Sequence, residues 1–95
     1  QDFNFELFKS SYNDLIGLSK EFFEKNGLML NWKEFQRLSL DQQVNTLAMI
    51  APMSNGEKQK LIETISVNDK IENLRNIFNF YKYDNRSKDT NNLLN

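Results

Sequence analysis

The chain has 95 residues, with 12 Lys plus Arg against 13 Asp plus Glu, and it contains neither Cys nor His. A chain of this length supports one core and buries roughly 60–65% of its unfolded surface. The even charge balance offers no strong attraction for nucleic-acid phosphates or anionic lipid, and the missing Cys and His remove disulfides, thiolate and imidazole metal sites, and Ser-His-Asp or Cys-His catalysis.

The apolar runs are far shorter than the ~20 residues that cross a bilayer, and no secretory signal is visible, so a cytoplasmic setting is the expectation. One Pro and three Gly favour helices over a sandwich or barrel. The chain opens on Gln1, which leads us to expect a longer chain before it.

In chain order, residues 1–6 alternate Phe3 and Phe5 with polar neighbours, which predicts a short extended lead-in. Residues 7–25 read as the first helix, with Phe8, Tyr12, Leu15, Ile16, Leu18, Phe22 and Phe23 on its apolar face. Gly17 inside it costs about 1 kcal/mol relative to Ala, so close packing is expected there. Asn26-Gly27 is a stop signal, and Leu28, Met29 and Leu30 form an apolar link that needs a cover. Asn31 with Glu34 caps a helix over 32–38, whose Trp32, Phe35 and Leu38 should point inward.

Ser39 with Gln42 caps a third helix over 40–51, with Val44, Leu47, Ala48 and Ala51 inward and Met49 and Ile50 widening that face. Pro52 ends it. Ser54 with Glu57 caps a fourth over 55–65, whose core contacts should be Leu61, Ile62 and Ile65, with Lys58 and Lys60 in solvent. Ser66 with Asp69 caps a fifth over 67–83, where Val67, Ile71, Leu74, Phe78 and Tyr81 recur at helical spacing and Ile77 and Phe80 broaden the stripe. Residues 84–95 are polar and read as a flexible tail with only Leu93 and Leu94 apolar. The expected fold is therefore all-α, a bundle of about five helices.

Few side chains offer chemistry. Ser19-Lys20 and Ser87-Lys88 are adjacent pairs, which do not face each other on a helix. The carboxylate pairs Glu21 with Glu24 and Glu34 with Asp41 are what a Glu-rich helical surface produces by chance. No phosphate loop, calcium loop or metal set is present in the sequence, and no cofactor is expected. A helix-turn-helix reading would use 54–65 and 66–83, with Lys70, Arg75 and Lys82 on the recognition helix. Asp69 and Glu72 share that helix and weaken it. A groove for unfolded chains would draw on Met29, Met49 and Met53. Core packing is the expectation for Met49 and Trp32, and for Met53 too, although its turn after Pro52 opens it more to solvent.

Residues 44–65 carry a family resemblance. Asn26-Gly27-Leu28, Asn31-Trp32, residues 44–49, Pro52, Glu57-Lys58-Gln59 and Leu61-Ile62-Glu63 together resemble the helical segment of the Lon substrate-binding domain family. That family provides the N-terminal domain of the ATP-dependent protease and also occurs as stand-alone bacterial proteins, which this chain resembles more. The likeness covers about residues 7–80. Ile62 stands where the family often has a second Leu, and Lys70 lies where an Arg is common.

The resemblance implies that 7–83 is the helical half of an α+β domain and that 1–6 leaves a β-rich half. It implies a non-catalytic module that holds unfolded protein or peptide segments, or another subunit, and the charge balance and short apolar runs lead us to expect neither nucleic acid nor membrane as partner. A peptidase label carried by the family would describe other domains. The surface we expect to bind is the turn at Met53, Ser54, Asn55, Glu57 and Lys58. The alternatives are a self-association or docking scaffold and, third, helix-turn-helix DNA binding; the oligomeric state stays open.

Overall fold

The computed structural model describes the backbone of residues 4–94 and the side chains of residues 4–83. Among the described residues the backbone forms five helices and no strand: α1 (Phe5–Lys25), α2 (Trp32–Phe35), α3 (Leu40–Ile50), α4 (Asn55–Glu63) and α5 (Val67–Leu94). The all-α bundle is as expected, and several boundaries move.

Helix α1 starts earlier than the alternating pattern predicts. Asn4 takes an extended conformation and its side chain accepts the Leu7 N–H at 3.0 Å, so Phe5 and Glu6 are helical. An Asn cap satisfies a free donor, and Glu6 suits the helix dipole; two alternating Phe residues do not outweigh that. The rest of the predicted lead-in, residues 1–3, lies outside the described residues. At the other end Gly27 has a φ of 66°, and the Leu28 N–H reaches the Phe23 carbonyl at 2.8 Å while the Gly27 N–H reaches Glu24 at 3.3 Å. This left-handed closure is the reason a glycine stands there.

Gly17 differs from expectation. It is exposed, and a Cβ placed on it meets nothing within 4 Å. Nothing packs against it, so only its backbone entropy remains. Gly17→Ala is expected to stabilise the fold by about 0.5–1 kcal/mol, read as a higher urea midpoint at unchanged slope.

Helix α2 is one turn and stops at Phe35, not residue 38. The Gln43 side chain explains the early stop. Its Nε2 donates to the Leu38 carbonyl at 3.0 Å, which turns the chain towards α3 and leaves Leu38 partly exposed. The Gln43 Oε1 in turn accepts from the Tyr12 hydroxyl on α1. Burial raises the Tyr12 pKa from its ordinary 10.0. A raised folded value means that neutral tyrosine stabilises the fold below pH ~10, and that this contribution is lost as pH climbs through the folded value. Tyr12→Phe should remove that alkaline step. It should also cost about 1–2 kcal/mol at neutral pH by stranding the Gln43 oxygen, measurable by urea unfolding at pH 7 and above 10.

Ser39 and Ser54 each form a complete two-way capping box, with Gln42 and Glu57 respectively. Ala51 is extended (ψ 149°) before Pro52, which ends α3 at Ile50. Helix α4 ends at Glu63, two positions before the expected end, and Thr64 is extended. Helix α5 continues to Leu94 instead of ending near Tyr83, so the backbone of 84–94 is helical. No Gly or Pro stands between Val67 and Leu94 to stop it.

Helices α1 and α5 run parallel. Arg75 Nε donates to Asp14 at 2.9 Å and Lys82 Nζ pairs with Glu21 at 3.4 Å, so the contact advances about two turns along both helices. Between them lie Leu15, Leu18, Ile71, Leu74 and Phe78, and α3 adds Val44, Leu47 and Ala48 to the same core. Edge-on aromatic contacts from Phe22 to Phe78 (5.3 Å) and Tyr81 (5.0 Å) close the far end.

Several residues expected inside are outside. Met49 is 69% exposed, Ile65 and Met29 are each 95% exposed, and Ile62 and Leu28 are also exposed. Leu61 alone points inward from α4. Because the chain leaves the helix at Thr64, Ile65 no longer lies one turn above Leu61 on the same face. The reverse error concerns Lys70, which is only 7% exposed, with Nζ 3.5 Å from Asn45 Oδ1 on α3.

Candidate functional site

The turn after α3 faces the middle of α5. Met53 N–H bonds back to the Ala51 carbonyl at 2.9 Å, which holds Pro52 and Met53 in a tight bend. Ser54 then opens α4. Its hydroxyl accepts the Glu57 N–H at 3.1 Å, and Glu57 Oε1 accepts the Ser54 N–H at 2.9 Å. Between this bend and α5 lies a groove of about 650 Å³, lined by Pro52, Met53, Ser54, Glu57, Asn76, Ile77, Phe80 and Tyr81. Phe80 is 71% exposed. Pro52, Met53 and Ile77 supply apolar surface beside it. The Tyr81 hydroxyl points away, donating to Asn26 Oδ1 at 3.3 Å, so this residue gives the groove its ring.

Of the turn residues selected from the sequence, Met53, Ser54 and Glu57 line the groove. Asn55 is exposed outside its lining. Lys58 is turned away from it: Nζ donates to the Met49 carbonyl at the end of α3. A cation there satisfies a terminal carbonyl and meets the negative end of the helix dipole, which accounts for its partial burial. The α5 wall, Asn76, Ile77, Phe80 and Tyr81, was not among the selected residues. Its signal was present as the extra width of the α5 stripe, where Ile77 and Phe80 exceed what one helix face buries.

The other candidate groups are held in structural contacts. Ser19 Oγ donates to the Leu15 carbonyl at 2.8 Å inside the fold, while Lys20 Nζ lies 5.5 Å over the Trp32 ring. The Ser87-Lys88 side chains lie outside the described residues. Glu21 is engaged by Lys82, and Glu34 is 3.6 Å from Arg37. Among the described residues no group of three acidic, His or Cys side chains converges as a metal site, and no helix is long and apolar enough to cross a membrane.

The cations that a DNA-reading α5 would need are also engaged. Arg75 is bonded to Asp14, Glu72 and Ser11, and Asp14 is the main cause of its raised pKa. Lys82 pairs with Glu21, and Lys70 is buried. No family model, curated protein or solved structure matches the chain.

Proposed function

We propose that this chain is a non-catalytic module that recognises protein or peptide segments, in the manner of the Lon substrate-binding domains that residues 44–65 resemble, and that the groove between the Pro52 turn and α5 receives them. One observation carries the reading: a large aromatic side chain, Phe80, stands exposed in a groove walled by Met53, Pro52 and Ile77. Exposed aromatic and Met surface in a concave site supplies contact area that adapts to varied apolar side chains. The rim groups Ser54, Glu57 and Asn76 add polar partners for a peptide backbone. The cytoplasmic setting expected from the sequence belongs to this proposal.

The test is a titration with reduced, carboxymethylated α-lactalbumin, a permanently unfolded chain, followed by calorimetry. Saturable binding in the micromolar range is expected; no heat or shift up to about 1 mM removes the proposal. A second reading, a self-association or docking scaffold, draws support from Ile62 and Ile65, which are exposed outside the groove. It predicts a mass that rises with concentration in light scattering. DNA binding has the least support, since Arg75 and Lys82 already hold carboxylates. It would require affinity that falls steeply with salt.

A further inference from the structure

We propose that α4 is a flap that undocks from α5 as a unit while the α1–α3–α5 core stays folded. The inference rests on the groove assignment for its functional meaning, because α4 contributes Glu57 to the lining of that groove.

Helix α4 has a weak attachment. Leu61 is its one buried residue, and Lys58 donating to the Met49 carbonyl is its side-chain hydrogen bond to α3. A second groove of about 420 Å³ lies along the rest of α4, and it shares Glu57, Asn76 and Ile77 with the first. The helix is thus undercut along its length. The chain is extended beyond both of its ends, with ψ of 149° at Ala51 and 126° at Thr64. Those positions can rotate without breaking a helix. The other side-chain hydrogen bonds of α4 are internal, such as the Ser54–Glu57 box and Gln59 donating to Glu63 at 3.0 Å, and they do not hold it to the core. By contrast, α1 and α5 are joined by Arg75–Asp14, Lys82–Glu21 and the buried Leu15 and Leu74.

When α4 lifts, the two grooves merge into one open face of α5 centred on Ile77. A longer apolar segment then fits than the closed form admits. Nine residues do not sustain a helix alone in water, so undocking also releases the α4 amides to solvent.

Native-state hydrogen exchange on the whole chain tests this without any ligand, so its failure is separate from a failure of the binding titration. Amides 58–63 should exchange at least ~100-fold faster than those at 15–19 and 71–78. Their rates should be nearly flat in low urea, whereas the core rates climb steeply. Leu15→Ala should speed the core amides by about 30-fold or more and leave α4 unchanged, since Leu15 stays buried when α4 opens. Equal protection of α4 and α5, or a steep urea slope for α4 in the unmodified chain, overturns the proposal. So do α4 rates that follow the core in Leu15→Ala.

Discussion

Leu74→Ala is expected to lower the unfolding free energy by about 3 kcal/mol, within the 2–5 kcal/mol that emptying a buried Leu site costs. Leu74 has no exposed surface and lies in the core shared by α1, α3 and α5. The loss combines the transfer of the missing methyl groups with a cavity that α1 and α5, tied by Arg75–Asp14 and Lys82–Glu21, cannot close by shifting freely. A domain of this size has roughly 5–15 kcal/mol in total, so the variant should still fold, with a Tm lower by more than about 10 °C. Urea unfolding followed by far-UV circular dichroism measures it. Ile65→Ser is the matched control. Ile65 is another aliphatic residue expected inside from the sequence, but it is exposed, so its change should stay within about 0.5 kcal/mol. Equal costs at the two positions would refute this account of the core.

Phe80→Ala should weaken binding of carboxymethylated α-lactalbumin by about 10- to 100-fold, the range seen when an aromatic anchor is removed from an interface. The stability change should remain below about 1 kcal/mol, because most of the ring already faces water. That separation of affinity from stability is the informative feature. A core aromatic such as Phe78 would lose both together. Met53→Ser should reduce affinity less, since thioether surface on the opposite wall is the smaller contact. If Phe80→Ala binds normally and Ile65→Ser does not, the binding surface lies at the link between α4 and α5 and the groove assignment is wrong.

The candidate site was half legible. Residue identity around Pro52 drew attention to Met53, Ser54 and Glu57, and these line the groove. Lys58 lies outside the groove because a long cation near a helix terminus can fold back onto carbonyls, and only the placement of Met49 shows that it does. The α5 wall was missed because nothing in a linear stripe says which of its apolar members lacks a partner. Phe78 belongs to the regular stripe and Phe80 broadens it, and only the packed structure shows that the first is buried and the second exposed.

Local punctuation was determined by the sequence alone. The Ser39–Gln42 and Ser54–Glu57 boxes, the Gly27 stop and the Pro52 break act over three or four residues, so their hydrogen bonds need no distant partner. The all-α class follows from them together with the apolar periods. Tertiary structure decided the division between core and surface: Leu61 in, Ile62 and Ile65 out, Met49 out and Lys70 in. Burial depends on which other segment arrives to cover a side chain. The groove depends on it most of all, because its two walls, residues 52–57 and 76–81, become neighbours only when α4 and α5 pack.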